Sequence, residues 1–255
     1  MSLLKNLRSL QENIVVNLPL FYVNEHDTAQ QSISLDEENS KHVVHVLRMM
    51  KGERLNLTDG KGNLLTCEII DDHKKHCCVK VIDSRFTSRA SRKITIAISL
   101  LKNSNRFEWF LEKATEIGVQ EIIPLICNRT DKQKFREDRM RNILISAMLQ
   151  SQQIWLPMLH KPIAFDLLLR QDEVIHASQK FIAHCMKESK RSLVDLVNET
   201  LPSQIILIGP EGDFTEDEIQ LATRNHFDEV SLGDTRLRSE TAGIVAAAIM
   251  CNAGS

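Results

Sequence analysis

Several large protein classes are excluded by what this 255-residue chain lacks. No apolar run approaches the roughly 18–20 residues that cross a bilayer as a helix. The six cysteines, at positions 67, 77, 78, 127, 185 and 251, form no C-x-x-C pair and no disulfide framework. A reducing cytoplasm is therefore the expected compartment. The densest metal-like cluster is His73, His76, Cys77 and Cys78, but DDHKK reads as a polar turn running into a strand, and no metal is expected. There is no G-x-G-x-x-G after a strand and no G-x-x-x-x-G-K-[ST], which disfavours Rossmann-type enzymes and P-loop NTPases. Internal repeats and low-complexity tracts are missing too.

What is present begins with an ordinary globular composition, 42% hydrophobic and 26% charged, long enough for one large domain or two modest ones. Residues 1–18 read as an N-terminal extension. Leu3, Leu4, Leu7 and Leu10 recur at helical spacing there, but Lys5, Arg8 and Glu12 interrupt them, so the stretch lacks the apolar centre of a signal peptide. It reads as a short surface helix or a segment foreign to the fold. The formal net charge is −2, unevenly placed. Arg85, Arg89, Arg92 and Lys93 form a run without an acidic residue, and 129–141 carries six basic residues against three acidic. Each run alone reads as solvated surface; two together raise the prospect of an anionic partner.

Residues 19–84 read as a small β-barrel. Leu20–Val23 is a short strand, and Asp36–Arg48 is expected to be a helix with Val43, Val44, Val46 and Leu47 supplying apolar contacts. The tight-turn sequence DGKG separates strands Arg54–Thr58 and Leu64–Ile70, and Cys77–Ile82 adds another. A linker is expected at 85–93, where FTSRASRK has no core pattern. From 94 to 255 the grammar changes to α/β. Ile94–Leu101 is a β-branched strand. A helix with Phe107, Phe110, Leu111, Ala114 and Ile117 on one face follows, then Gly118 as its stop, then strand Glu121–Ile126. Strand–helix–strand of this length implies parallel pairing. Phe181–Cys185, Gln204–Ile208 and Glu229–Leu232 continue the alternation.

Chemistry concentrates near the C-terminus. Ile205–Ile208 runs into Gly209-Pro210-Glu211-Gly212, and Thr215 with Glu218 forms a capping box that opens a helix. Glycines there let backbone approach a ligand closely, although a tight strand-to-helix connection accounts equally well for this segment alone. The second segment, Val230–Gly243, is a strand, a glycine turn, a polar loop and a helix rich in small residues, which allows close packing against another element or another subunit. Arg236, Arg238 and Glu240 crowd that helix entrance, a place suited to a polar ligand.

Together, IGPEGDF (208–214), SLGDTRLRSETA (231–242) and FEWFLEKATEIGV (107–119) resemble the RsmE family of SPOUT methyltransferases. HVLRMMKGERLNLTDGKG (45–62) is similar to that family's N-terminal PUA-like barrel, so the likeness covers nearly everything after residue 18. The resemblance implies a PUA-like RNA-binding β-barrel followed by an α/β SPOUT domain with a C-terminal trefoil knot, one of the exceptions to unknotted topology. It implies S-adenosylmethionine held mainly by backbone, at Ile208, Gly209, Pro210, Glu211 and Gly212. Ser231, Leu232, Gly233, Leu237, Arg238, Ser239, Thr241 and Ala242 join them, and Ala183, His184 and Cys185 form a third wall. A homodimer is implied, and so is methylation of N3 of a uridine in 16S ribosomal RNA, on the naked RNA or the small ribosomal subunit. A non-catalytic ribosome-assembly factor, or a SPOUT enzyme acting on another base, is the alternative.

The chain also departs from the family. Asp213 stands where a second glycine is usual, and Leu20 where an arginine is. Leu149-Gln150-Ser151-Gln152-Gln153 replaces a Glu-Gln-(Ser/Cys)-Gly-Arg stretch. For catalysis Arg238 is the first choice, as a guanidinium facing charge that develops on uracil. Glu240 is a weaker candidate for proton removal, since a helix-N-terminal carboxylate is already favoured by the dipole. Phosphate contacts are expected from Arg48, Arg89, Arg92, Arg106, Arg129, Lys132 and Lys134.

Overall fold

The computed structural model describes residues 18–24, 31–131, 134–186 and 190–253. The expected N-terminal extension lies almost wholly outside them. The chain divides into two compact units, one ending at Thr87 and the other beginning at Ser88.

The first unit is a curled five-stranded sheet in the order β1-β3-β4-β5-β2, with β1 Leu20–Tyr22, β2 Ser32–Ser34, β3 Arg54–Thr58, β4 Asn63–Asp71 and β5 Cys78–Phe86. Among the described residues, only β1 and β3 pair in parallel here; the other pairs are antiparallel. Asp59 shapes the turn between β3 and β4 by accepting from the Lys61 amide at 2.8 Å and the Asn63 side chain at 2.7 Å. Phe21, Leu55, Leu57, Leu65, Ile69 and Val79 fill the interior.

The expected helix over 36–48 is shorter and less regular. Asp36 caps α1 (Glu37–Lys41) through the Asn39 amide, and the chain then widens into a π-helical turn, His42–Val46. The wide turn ends with Arg48 in left-handed backbone at φ 57°. Val43 is fully buried, whereas Val46 and Leu47 face solvent, so only part of the expected apolar set packs. Strand β5 runs four residues past the expected end at Ile82 because its pairing with β4 continues to Asn63 opposite Phe86. Arg85 and Phe86 therefore belong to a strand, and Lys93 opens the next one, which trims the expected linker at both ends.

The second unit is built on an eight-stranded sheet in which every pair is parallel. Its order is β11-β13-β10-β12-β6-β7-β8, with β9 also beside β7. The strands are β6 Lys93–Ser99, β7 Glu121–Ile126, β8 Met158–Leu159, β9 Ile163–Ala164, β10 Gln179–Ala183, β11 Arg191–Ser192, β12 Ser203–Ile208 and β13 Asp228–Ser231. Around them lie α2 (Ser104–Ile117), α3 (Glu137–Gln150), α4 (Phe165–Leu168), α5 (Asp172–Ile175), α6 (Leu193–Leu196), α7 (Glu216–Arg224) and α8 (Ser239–Asn252).

Helices cover both faces, which is why the strands read as near-continuous apolar runs. Along β6, Ile94, Ile96 and Ile98 join one core with Phe107, Phe110, Leu111, Ala246 and Met250. Ala97 points the other way, into a second core with Ile123, Phe165, Ile182, Leu207 and Phe214. Helix α2 starts at Asn103, whose side chain accepts from the Asn105 amide, and stops at Gly118 in left-handed backbone. Among the described residues, no helix is long and apolar enough to cross a membrane.

Candidate functional site

The register of the sheet brings three strand ends level. Ala183 at the end of β10 lies beside Ile208 at the end of β12 and beside Val230 near the end of β13. The loops that leave these ends, together with the start of α8, enclose a cavity of about 720 Å³. That volume is typical of a small-molecule or cofactor site, and the carboxyl ends of parallel strands are where such sites form.

Fourteen positions expected to bind the cofactor line the cavity: Ala183, His184, Cys185, Ile208, Gly209, Pro210, Glu211, Ser231, Leu232, Gly233, Leu237, Arg238, Ser239 and Ala242. Gly212 and Thr241 do not line it. A Cβ on Gly212 would face the Arg129 side chain at 3.3 Å instead, and Thr241 sits in the first turn of α8. Met186, Lys190, Asp213, Val230, Asp234, Thr235 and Arg236 also line the cavity, although the sequence expectation left them out. Asp213 and Arg236 carried a signal, one as a departure from the family and one as a charge at the helix entrance.

The first glycine turn is held from three sides. The Lys102 amide donates to Glu211 Oε1 at 3.0 Å, from the loop between β6 and α2. Arg129 Nη1 donates to the Gly212 carbonyl at 2.7 Å and the Phe214 carbonyl at 3.3 Å, from the loop after β7. The Cys185 amide donates to Asp213 Oδ2 at 2.8 Å, from the end of β10. Gly209 packs against Phe214, where an added Cβ would approach the ring at 3.1 Å. The capping box forms as expected, and the buried Glu218 also accepts from the Asn128 amide at 2.8 Å.

In the second turn Gly233 sits at φ 139° with open space around it, a backbone that side chains rarely adopt. The Ser231 hydroxyl exchanges hydrogen bonds with the Gly233 amide and carbonyl. On the third wall, His184 is buried, with Nε2 2.8 Å from Glu229 Oε2. Lys190 Nζ donates to the His184 and Met186 carbonyls at 2.7 and 2.8 Å and lies 3.2 Å from His184 Nδ1. An ammonium can only donate, so Nδ1 accepts and Nε2 donates to Glu229.

The expected basic contacts separate into two groups. Arg89 turns inward: it donates to the Gln120 carbonyl at 2.6 Å and lies 5.4 Å from the Trp155 ring, and burial pulls its pKa below the usual arginine value. Arg92 donates to the Ala253 carbonyl at 2.9 Å, and Arg129 is engaged with the glycine turn. These three are each engaged with a backbone carbonyl of the second unit. Arg48 and Lys134 are exposed, and Lys132 lies outside the described residues. Arg106 reaches Glu240 at 3.6 Å. Arg238 is exposed at the N-cap of α8. Glu240 is buried in the first turn and absent from the cavity lining, and its Oε2 is without a hydrogen-bond partner.

Residues 88–251 match the family model described as an RNA methyltransferase domain, and residues 35–82 match an RNA methyltransferase PUA domain. The chain belongs to the RNA methyltransferase family. A curated relative, "Ribosomal RNA small subunit methyltransferase E" of Rickettsia conorii, is 27% identical over 89% of this chain and 92% of its own length. Among solved structures, a "probable rRNA-methyltransferase" of Porphyromonas gingivalis is 36% identical with a TM-score of 0.81, covering 90% of this chain and 95% of that one. A "Ribosomal RNA small subunit methyltransferase E" of Neisseria gonorrhoeae, solved bound to S-adenosyl methionine, is 29% identical with a TM-score of 0.80, covering 91% and 96%. The SPOUT class and the PUA-like first unit follow from these likenesses, and the enzyme is an RNA methyltransferase rather than a bare assembly factor.

Proposed function

We propose that this enzyme methylates ring nitrogen N3 of a uridine in 16S ribosomal RNA, using S-adenosylmethionine. The observation that carries the proposal is the meeting of both glycine turns, with the end of β10, around one cavity at level strand ends. Its surfaces fit the donor. Backbone at 208–211 and 231–233 supplies directional polar groups, the start of α8 offers free amides, and Leu232, Leu237 and Ala242 give apolar walls. When bound, S-adenosylmethionine supplies a methyl group already activated by its sulfonium. The protein's part is then alignment of the accepting nitrogen, for which a rigid cradle is worth several orders of magnitude.

Uracil N3 must lose a proton to accept a methyl, and the charge spreads onto the flanking carbonyl oxygens. Arg238, exposed at the cavity rim, is the guanidinium that stabilises it. Glu240 is the candidate proton acceptor. Its buried, unpartnered Oε2 supports that role, while its absence from the cavity lining makes it the weaker of the two assignments. N3 lies on the pairing edge of the base, so the target uridine is unpaired or drawn from its stack. Arg48, Arg106, Lys132 and Lys134 are the proposed phosphate contacts. Half-buried Val245 and Ala248 on α8, which lie outside the chain's own core cluster, support the homodimer. The proposed compartment is the cytoplasm.

The test is Arg238→Ala. Turnover on 16S RNA falls by at least about a hundredfold, as for loss of an oxyanion-type donor, while the calorimetric affinity for S-adenosylmethionine stays within severalfold. Wild-type turnover in the variant removes Arg238 from the mechanism. Mass spectrometry of nucleosides from the methylated RNA identifies the base and the atom.

A further inference from the structure

Asp213 occupies a position that the family resemblance gives to glycine, and its backbone explains why: φ is 64°, in the left-handed region. A side chain there is disfavoured, somewhat less for aspartate than for most residues. The aspartate offsets that cost with two hydrogen bonds. Oδ1 accepts from the following amide, Phe214, at 2.8 Å, and Oδ2 accepts from the Cys185 amide at 2.8 Å. The Asp213 amide itself closes the turn onto the Pro210 carbonyl at 2.9 Å. Cys185 and Pro210 both line the cavity, from different strand ends.

We propose that Asp213 is a positioning residue that clamps the end of β10 to the glycine turn after β12 and so holds two walls of the cofactor cavity at a fixed separation. A glycine at this position relaxes the backbone but leaves the Cys185 amide without its acceptor. The two walls are then free to drift, and ordering them again is charged against binding. This chain has exchanged backbone ease for a preformed cavity. The inference rests on the S-adenosylmethionine reading of that cavity for its second readout only.

Two measurements on Asp213→Gly and Asp213→Asn separate the clamp from a merely structural role. The first is hydrogen exchange of the Cys185 amide in cofactor-free protein. Exchange accelerates at least tenfold in Asp213→Gly, while Asp213→Asn, which tolerates left-handed backbone but has a single acceptor oxygen for the two amides, falls between that variant and wild type. The second is calorimetric titration with S-adenosylmethionine. Asp213→Gly binds about five- to twentyfold more weakly at an unchanged or raised melting temperature, and Asp213→Asn, with one acceptor oxygen, recovers part of the affinity. Unaltered Cys185 exchange in Asp213→Gly, or wild-type affinity in that variant, overturns the clamp. A wild-type protein that binds no S-adenosylmethionine sinks the cofactor reading instead, and the exchange measurement then judges the clamp alone.

Discussion

At the opposite end of the parallel sheet from the cavity, Glu121 is buried at the start of β7 among donors. His160 Nε2 lies 2.7 Å from Oε1, and Lys93 Nζ and Thr95 Oγ1 lie 2.8 and 2.7 Å from Oε2. Burial alone would raise the carboxyl's pKa. The hydrogen bonds from His160, Lys93 and Thr95 and the charge of Lys93 outweigh it, and hold the group down at about 2. The folded value lies below the unfolded one, so its contribution is fully present above the unfolded carboxylate range and fades as pH falls toward 2. The shift is worth about 3 kcal/mol at neutral pH, as an order of magnitude. Glu121→Gln is expected to lose roughly that much in urea denaturation at pH 7 and markedly less at pH 3. An equal loss at both values would contradict the assignment. The same scale shows what single residues disclose. Gln152, where the family has glycine, also sits in left-handed backbone, at φ 56°, as Asp213 does. Both departures were visible in the sequence, but not what replaces the glycine's ease. That depends on partners such as Cys185, which only the fold brings near.

The elements were the most legible part of this chain where burial is two-sided or strictly periodic. Strands β6, β7, β10 and β12 stand out as apolar runs, and α2 as a face of Phe107, Phe110, Leu111 and Ala114 closed by Gly118. The end of β5 was not legible, because its last residues are exposed and take their register from β4 rather than from a buried face. Nor was the π-helical turn, which places Val43 in the core at the expense of Val46 and has no compositional mark. Helix α8 is a case between. Its small residues called for a close neighbour without saying which, and Gly243 lies against the helix's own chain. A Cβ there would come within 2.7 Å of the Phe110 ring and 3.0 Å of Ile98. Gly243→Ala gains up to about 1 kcal/mol in helix propensity, but overpacking of this kind costs typically 1–3 kcal/mol. A net loss of stability, of up to about 2 kcal/mol, is expected in chemical denaturation. A stabilised variant would mean that the Phe110 ring gives way freely.

Across the whole molecule, charge density alone did not tell which arginines are engaged with the fold. Arg89 and Arg92 lie in a basic run free of acidic residues, yet both guanidinium groups hold backbone carbonyls of the second unit. Arg48, a single charge in an apolar stretch, is exposed. Arg48→Ala is accordingly expected to weaken binding to 16S RNA and to lower the slope of log affinity against log salt by about one, as for loss of one phosphate contact. Arg89→Ala is expected to lower the melting temperature without changing that slope. An unchanged slope in Arg48→Ala would take this residue off the RNA path.

The sheet order also governs when this protein can exist during its own synthesis. Strand β12 lies between β6 and β10, so a strand made late is the neighbour of the one made first in the second unit. Until Ser203–Ile208 has left the ribosome, β6 has an open edge on that side, and the cavity needs α8, later still. Pairing that waits on distant sequence is slow to form. A nascent chain stalled before β12 therefore carries an apolar strand with an open edge, and one stalled between β12 and α8 still lacks a wall of the cavity that holds the methyl donor.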